Sequence, residues 1–325
     1  MPALVVALEA NAERRQIIEE TVGDAGDVIY LEDLEEADRP AAIADATAIF
    51  AAQVKQLPNM GRDVGPACRL LQFFSSGVDY LPLKQFPESL PIAGNGGAFS
   101  EPMAEHGLAM ALAAGKRLFV EAEKMRGGEF NQFTRNRMFL GGVVGIVGMG
   151  GIGAASAKLF KGLGMQVHGI NRRGETDAPV DWMGKVEDLD RLLAESDVVL
   201  LTLPLTPASE RLIDARRLGL MKPDAILVNL ARGEIVDEDA LYERLVANPT
   251  FTACIDAWWI EPVRHGRFET RRPFLDLPNV IPSPHNSASV GVWRPTVIRR
   301  AVANCVRALR GETPKNVIRP EDRMQ

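Results

Sequence analysis

The stretch of sequence that decides the fold is VVGIVGMGGIGAASAKLFKGLGMQVHGINRRG, residues 143–174. Its first five residues are apolar and rich in valine, as expected of a strand buried in a parallel sheet. Gly148, Gly150 and Gly153 follow in G-x-G-x-x-G spacing, and after them come a helix-like segment and a second strand-like run, Gln166–Ile170. This order predicts a βαβ unit that opens a doubly wound parallel sheet.

The alternation of short strands and helical stretches continues on both sides of this unit. Further strands are predicted at Val198–Leu203, Ala225–Asn229 and Thr252–Asp256. An earlier series is predicted at Leu4–Leu8, Val28–Leu31, Ala48–Ala51 and Leu70–Phe74. Two such series predict an α/β protein with two doubly wound parallel-sheet domains.

Two helical segments predict how the domains are connected. Glu101–Met125 is rich in Ala, Met and Leu and is predicted to form one long inter-domain helix. Val297–Leu309 is amphipathic and is expected to return the chain to the first domain. The first domain is therefore predicted to be discontinuous, residues 1–102 plus 289–325, with residues 103–288 forming an inserted second domain.

Composition excludes several classes of protein. The chain has 325 residues, of which 46% are hydrophobic and 25% charged, as in soluble globular proteins large enough for two domains. Its net charge of -6 argues against nucleic acid as a main partner. The three cysteines have no spacing typical of disulfide frameworks or zinc sites, and no apolar run is long enough for a signal or a membrane span. We expect a cytoplasmic protein.

The glycine-rich loop predicts a dinucleotide site. Gly148 permits a tight turn, Gly150 lets the backbone approach a pyrophosphate, and Gly153 allows close packing of helix on strand. The N–H groups at the start of the following helix are donors for the anion. The predicted cofactor-binding residues of this loop are Gly148, Met149, Gly150, Gly151, Ile152 and Gly153.

The end of the next strand bears on the choice of cofactor. Dinucleotide sites that prefer NAD commonly have an acidic residue there, whereas this chain has Asn171 followed by Arg172 and Arg173. Two guanidinium groups are suited to a 2′-phosphate, which favours NADP. The alternative is that the arginines are solvated and that Asn171 accepts a ribose hydroxyl of NAD.

Three later segments complete a recognisable pattern. They are LMKPDAILVNLARGEIVDEDAL at 220–241, CIDAWWIEP at 254–262 and LPNVIPSPHNSAS at 277–289. Together with GMGGIG at 148–153 and TLPLTP at 202–207, they resemble the D-isomer-specific 2-hydroxyacid dehydrogenases, a family that includes glyoxylate/hydroxypyruvate reductases. The resemblance covers roughly residues 70–310.

The resemblance implies a fold, an assembly and further contacts. It implies a flavodoxin-like substrate-binding domain, a Rossmann dinucleotide-binding domain and a homodimer formed through the helix at Glu101–Met125. Leu203, Pro204 and Asp256 are expected to contact the cofactor, and Asp256 matches the family's contact to the nicotinamide carboxamide. Backbone groups of Ser76, Gly77 and Val78 are expected to bind the substrate carboxylate.

The chemistry of 2-oxo acid reduction fits three further residues. A guanidinium can pair with the substrate carboxylate and polarise the carbonyl, and Arg232 follows a strand at the edge where ligands of open sheets bind. Imidazole is well suited to protonate the developing alkoxide, which assigns the general acid to His285. Glu261 matches the family's partner of that histidine. Arg232, Glu261 and His285 are thus the predicted catalytic residues.

Other residues allow only weaker interpretations. Asn95 is a weak candidate for a substrate contact, and His106 is interpreted as a structural histidine. Trp258 and Trp259 could restrict substrate length, form a dimer contact or simply pack, and these alternatives stay open.

The leading hypothesis is reversible hydride transfer between NAD(P)H and a small 2-oxo acid such as glyoxylate or hydroxypyruvate. One alternative is oxidation of formate or phosphite by an enzyme of the same general fold. A second alternative, from a different class, is a dinucleotide-sensing corepressor without turnover.

Overall fold

The computed structural model describes residues 1–325 and divides into two compact units, one made of Met1–Phe99 with Val290–Gln325 and the other of Ser100–Ser289. Every strand pairing within the two sheets is parallel. The predicted α/β class with two doubly wound parallel sheets is confirmed.

The first unit contains a five-stranded sheet in the order β2-β1-β3-β4-β5, which is the flavodoxin-like order. Its strands are β1 (Ala3–Val6), β2 (Asp27–Tyr30), β3 (Ala48–Ala51), β4 (Leu70–Phe73) and β5 (Ile92–Ala93). All residues of β3 and β4 are buried, as expected of central strands covered on both faces.

Three helices belong to this first unit. They are α1 (Ala12–Val22), α2 (Arg39–Ala44) and α10 (Arg294–Leu309). The side chain of Asn11 caps α1 by accepting the N–H of Arg14. Apolar side chains of α1 and α10 share one buried cluster with the sheet, which includes Ile18, Val302 and Phe50. Residues from both ends of the chain therefore form one core.

The second unit contains a seven-stranded sheet in the order β12-β11-β10-β9-β6-β7-β8. Its strands are β6 (Val143–Val147), β7 (Gln166–Ile170), β8 (Trp182–Gly184), β9 (Val198–Leu201), β10 (Ile226–Asn229), β11 (Thr252–Ile255) and β12 (Val280–Pro282). The strand order reverses beside β6, and in such sheets ligands bind at the carboxyl ends of the strands next to this reversal.

Seven helices complete the second unit. They are α3 (Ser100–Gly115), α4 (Leu118–Arg126), α5 (Gly151–Gly162), α6 (Leu189–Glu195), α7 (Ala215–Leu220), α8 (Glu238–Ala247) and α9 (Pro262–His265). None of the chain's helices is both long and apolar enough to span a membrane.

The prediction of a single helix over Glu101–Met125 is wrong, because α3 ends at Gly115 and α4 begins at Leu118. The backbone of Arg117 is left-handed, with φ of 54°, which interrupts the helix. A Cβ atom on Gly115 would lie 2.5 Å from the ring of Phe139, so the last turn of α3 packs against a distant aromatic residue.

Several predicted strands extend too far at their carboxyl ends. β1, β4, β9 and β11 end one or two residues before Leu8, Phe74, Leu203 and Asp256, the predicted ends. Three short strands, β5, β8 and β12, were not predicted, because two or three residues carry too little alternation of polar and apolar side chains to be recognised.

Candidate active site

In the glycine-rich turn between β6 and α5, two positions have no room for a side chain, each because of a different neighbour. Gly148 has φ of 102°, and a Cβ there would lie 2.9 Å from the backbone nitrogen of Leu203. A Cβ on Gly153 would lie 2.2 Å from the carbonyl oxygen of Gly148. Nothing lies within 4 Å of the Cβ position of Gly150, so the backbone there faces open space. This geometry suits close approach of a pyrophosphate.

The remaining predicted residues of this turn have defined positions. Met149 lies within the turn, and Gly151 and Ile152 begin α5. Leu203 and Pro204 follow β9, the strand beside β6. The hydroxyl of Thr202 donates to the carbonyl oxygen of Gly148 at 2.6 Å, which ties the two loops together.

The loop after β7 is shaped by Asn171. Its side-chain oxygen accepts the backbone N–H groups of Arg173 and Gly174 at 2.9 and 2.7 Å, and its amide nitrogen donates to the carbonyl oxygen of Glu175. The side chains of Arg172 and Arg173 are exposed. Asn171 therefore forms the turn that presents the two arginines, and its oxygen already accepts two hydrogen bonds.

His285 and Glu261 form a close pair. The His285 Nδ1 atom lies 2.8 and 2.9 Å from the two carboxylate oxygens of Glu261. Glu261 is 6% exposed, and its Oε1 atom also accepts the N–H of Trp258 at 2.7 Å. The backbone of His285 is left-handed, with φ of 50°, an uncommon conformation for a residue other than glycine. The imidazole is thus oriented before any substrate arrives.

The surroundings of Glu261 favour its ionised form. Burial acts to raise the pKa of Glu261, but the hydrogen bond and charge of His285 outweigh it, with help from the N–H of Trp258 and the charge of Arg232. The net result is a pKa below the ordinary value of a glutamate. Glu261 is therefore ionised at neutral pH and stabilises positive charge on the imidazole.

Arg232 lies three residues beyond the end of β10, at the same sheet edge. Its backbone is extended, and the Asn229 side chain fixes the loop by donating to the carbonyl oxygen of Arg232 and accepting the N–H of Ala231. The Arg232 side chain is partly exposed and donates to the carbonyl oxygen of Ala231 at 2.8 Å. Its guanidinium lies near enough to Glu261 to lower the pKa of that carboxyl.

Asp256 follows β11 and is fully buried. Its Oδ1 atom accepts a hydrogen bond from the Ser283 hydroxyl and, at 3.2 Å, from the N–H of Asn286. Its Oδ2 atom is buried without a hydrogen-bond partner. The His106 Nε2 atom lies 3.1 Å from the Ser283 oxygen. Sequence reasoning missed Ser283, although its place two residues before His285 was a signal.

Comparison with known proteins bears directly on this arrangement. The family model of the NAD-binding domain of D-isomer-specific 2-hydroxyacid dehydrogenases matches residues 108–287. Glyoxylate/hydroxypyruvate reductase B of Pectobacterium carotovorum is 38% identical over 227 residues, 68% of this chain and 69% of the relative. The chain belongs to the D-isomer-specific 2-hydroxyacid dehydrogenase family. The resemblance found in the sequence is confirmed, and so is the enzyme class.

Other relatives of this dehydrogenase cover more of its length. Glyoxylate reductase of Korarchaeum cryptofilum is 31% identical over 266 residues, 80% of this chain and 78% of the relative. Among solved structures, a candidate formate dehydrogenase of Pyrobaculum aerophilum matches with a TM-score of 0.80 and 25% identity, covering 99% and 100% of the two chains. A family member from Xanthobacter autotrophicus, solved with NADPH, has a TM-score of 0.76 at 24% identity over 98% of both chains.

The predicted substrate-binding backbone of the dehydrogenase lies in its first unit. Ser76, Gly77 and Val78 follow the end of β4. Asn95 is 3% exposed, its N–H donates to the carbonyl oxygen of Ser75, and its side chain donates to the carbonyl oxygen of Val297. The amide nitrogen of Asn95 is thus engaged within the unit, and the substrate roles of all four residues remain predictions.

Both indoles of the dehydrogenase pack inside its second unit. Trp258 and Trp259 are 3% and 9% exposed. The Trp258 ring nitrogen donates to the carbonyl oxygen of Ser283, and the Trp259 ring stacks on Phe274 at 5.2 Å. A packing role accounts for both tryptophans. The basic residues that follow are paired with acidic ones, as in the ion pair between Arg264 and Glu234.

Proposed function

We propose that this dehydrogenase reduces a small 2-oxo acid, glyoxylate or hydroxypyruvate, using NADPH as the reductant and His285 as the proton donor. The observation that carries the proposal is the pair formed by His285 and buried, ionised Glu261. Relatives named as a glyoxylate/hydroxypyruvate reductase and a glyoxylate reductase support the choice of substrate.

The chain's residues fit a nicotinamide dinucleotide. The open backbone at Gly150 and the start of α5 would hold the pyrophosphate, and the unpartnered Oδ2 of Asp256 would accept an N–H from the nicotinamide carboxamide. Leu203 and Pro204 flank the same turn. When bound, the cofactor supplies the hydride.

The protein's part in the reaction is to orient the 2-oxo acid and to deliver a proton. Arg232 pairs with the substrate carboxylate and polarises the neighbouring carbonyl. The Nε2 atom of His285, opposite the Nδ1 atom that faces Glu261, gives its proton to the carbonyl oxygen as negative charge develops there. Glu261 stabilises the imidazolium before transfer and fixes which nitrogen faces the substrate.

Residues 1–102 and 289–325 act as the substrate-binding domain and residues 103–288 as the dinucleotide-binding domain. In the first domain, the N–H groups near Ser76, Gly77 and Val78 bind the substrate carboxylate. The glycine in this segment allows the backbone to approach an anion closely.

NADP is the preferred cofactor, with NAD as the alternative. Arg172 and Arg173 are exposed on a turn that Asn171 fixes. No acidic residue occupies the strand-end position that would repel a 2′-phosphate, since Asn171 stands there. Two adjacent guanidinium groups carried on this turn suit charge-assisted contacts to the phosphate.

The enzyme is a homodimer formed through its second unit. Support comes from a run of exposed apolar side chains between α3 and β6, which includes Leu118, Phe119, Phe130, Phe133 and Met138. Each of them is more than half exposed, an unusual amount of apolar surface for one short segment. Sedimentation at micromolar concentration should give a dimer, and a monomer would contradict this proposal.

A substrate panel tests the function. Glyoxylate, hydroxypyruvate, pyruvate and longer 2-oxo acids are each assayed with NADPH and with NADH, by the absorbance of the reduced nicotinamide. We expect glyoxylate or hydroxypyruvate with NADPH to give the highest kcat/KM. Formate or phosphite oxidation with no 2-oxo acid turnover would overturn the substrate class. Tight cofactor binding without any turnover would favour the corepressor instead.

A further inference from the structure

A buried carboxylate oxygen without a donor is the starting observation. Asp256 is fully buried, and only its Oδ1 atom accepts hydrogen bonds. An acceptor left unpaired in the interior costs free energy, so a ligand that donates a hydrogen bond to Oδ2 would recover that cost. The residues that orient the Asp256 carboxylate, and so leave Oδ2 without a partner, therefore bear on ligand binding.

A chain of hydrogen bonds leads from Asp256 Oδ1 through Ser283 to His106 on α3. The Ser283 oxygen contacts Asp256 Oδ1 on one side and lies 3.1 Å from His106 Nε2 on the other. The three residues come from α3, from the end of β11 and from the end of β12. Residues far apart in sequence thus converge on one carboxylate.

The direction of each hydrogen bond follows from the chemistry. An ionised carboxylate only accepts, so the single hydroxyl proton of Ser283 is donated to Asp256. The Ser283 oxygen then accepts from His106, which requires the proton on Nε2 of that ring. Both donors point toward the carboxylate, so the chain is polarised in one direction and each bond strengthens the next.

We propose that His106 and Ser283 are positioning residues that keep Asp256 Oδ1 occupied and Oδ2 available to the carboxamide of the nicotinamide ring. This inference rests on the proposed function only in requiring that the chain binds a nicotinamide dinucleotide. The hydroxyl of Ser283 and the N–H of Asn286 both donate to Oδ1, so rotation of the carboxylate would break two hydrogen bonds. His106 fixes the rotation of the hydroxyl.

The consequence is selectivity for the carboxamide group. A cofactor analogue with a 3-acetyl group in place of the carboxamide has the same ring and phosphates but no N–H to donate. A hydrogen bond to a charged group changes an equilibrium constant by about tenfold or more. We expect the protein to bind NADP⁺ about tenfold more tightly than 3-acetylpyridine adenine dinucleotide phosphate.

The experiment measures the ratio of the two dissociation constants by isothermal titration calorimetry, with no 2-oxo acid present. Asp256→Asn removes the charged acceptor and should give the lowest ratio of the two dissociation constants. Ser283→Ala and His106→Leu should each reduce this ratio at least about threefold toward that value. Ser283→Thr keeps the hydroxyl, and His106→Gln keeps a donor near the Nε2 position, so both should preserve most of the ratio. Ser196→Ala, which removes a buried hydroxyl bonded to the Leu192 carbonyl, is the matched control and should leave it unchanged.

The outcomes separate this inference from the proposed function. If Ser283→Ala and His106→Leu weaken both ligands equally, the two residues are structural only and the positioning role is wrong. Equal binding of the two ligands by the wild type would also overturn it, while leaving dinucleotide binding intact. If neither ligand binds, the proposed function itself fails. If Ser283→Ala does not fold, the ratios measured for His106→Leu and His106→Gln still distinguish a positioning role from a structural one.

Discussion

Two regions of the second unit differ in how firmly their side chains are held. One is the pair of Glu261 and His285, and the other is the turn from Asn171 to Gly174. Glu261 is buried, and both of its carboxylate oxygens contact the imidazole. In the turn, the side chain of Asn171 makes hydrogen bonds that set the backbone, and the two arginine side chains are exposed. The imidazole is therefore fixed by a buried partner, whereas the two guanidinium groups are exposed to solvent, which screens their charges.

This difference predicts where substitutions act. The His285 imidazole is already oriented, so little conformational entropy is lost when the transition state forms. Its removal is therefore expected to lower kcat strongly. Exposed arginines lose rotamer freedom on binding and are partly screened by solvent, so their removal is expected to change affinity by a smaller factor.

The largest effect should come from His285. His285→Ala is expected to lower kcat for 2-oxo acid reduction by about a hundredfold to ten-thousandfold at neutral pH, because general acid catalysis is lost. His285→Asn should be equally slow, since asparagine tolerates the left-handed backbone but is not a comparable proton donor. Steady-state rates give the answer. Near-normal turnover in both variants would remove His285 from the chemistry.

Arg232→Lys keeps the charge but should lower kcat/KM by about a hundredfold, because an ammonium cannot reproduce the planar fork that pairs with a carboxylate. Arg216→Lys is a suitable control, since Arg216 is exposed and pairs with Asp190. Unchanged efficiency in Arg232→Lys, measured with the best 2-oxo acid of the panel, would exclude Arg232 from substrate binding.

The turn after β7 is tested by replacing Arg172 and Arg173 together with alanine. NADPH affinity should fall by roughly ten- to a hundredfold and NADH affinity should hardly change, because only NADPH carries the 2′-phosphate. The matched control replaces Arg271 and Arg272, a second adjacent pair, whose partners are Glu238 and Asp239. If the wild type prefers NADH, or both cofactors weaken equally, the preference for NADP is wrong.

Glu261→Gln is expected to lower kcat about tenfold, because a neutral amide can still hold the imidazole of His285 in place but carries no charge to stabilise a proton on it. The lowered pKa of Glu261 means that the wild-type residue carries this charge at neutral pH. Steady-state rates at neutral pH measure the effect. A kcat equal to that of the wild type would show that the charge of Glu261 does not support the proton donor.

The smallest effect lies outside both regions. Burial lowers the pKa of His168 on β7, although the charge of Glu195 acts in the opposite direction. As the pH falls, His168 therefore binds its proton at a higher pH in the unfolded chain than in the folded protein. The free energy of unfolding should then decrease as the pH falls below the ordinary pKa of a histidine. We expect the wild-type Tm to drop by a few degrees more than that of His168→Gln between pH 7.5 and about pH 5.5. Parallel Tm curves would contradict this.

Local patterns explain which features could be predicted from the sequence. The positive φ of Gly148 and the close packing of Gly153 against the carbonyl oxygen of Gly148 both arise within one strand–turn–helix unit, so the glycine spacing predicts the turn. The contact of Gly148 with Leu203, which follows a different strand, could not be predicted in this way. The family motifs likewise indicated His285 and Glu261. The sequence did not predict the break between α3 and α4, because the left-handed backbone of Arg117 has no signal such as a glycine or proline at that position.

The hydrogen-bond chain of His106, Ser283 and Asp256 is a second feature that could not be predicted, because it joins side chains that are distant in sequence. His106 and Ser283 are 177 positions apart, and neither has a local pattern that indicates a hydrogen bond between them. His106 was interpreted as structural because a histidine on a helix is most often so. Only the parallel arrangement of β11 and β12, with α3 nearby, brings the three polar groups together.

The shared core of α1 and α10 has a consequence for how the polypeptide matures on the ribosome. Ile298 and Val302 of α10 pack in the same apolar cluster as Ile17, Ile18 and strand residues such as Leu4. Until α10 is made, that face of the first sheet lacks part of its cover. Residues 100–289, a whole compact unit, are translated in between, which takes roughly 10–40 s at about 5–20 residues per second. The nested unit can therefore fold first, while residues 1–99 leave part of their sheet exposed to water until α10 has been synthesised.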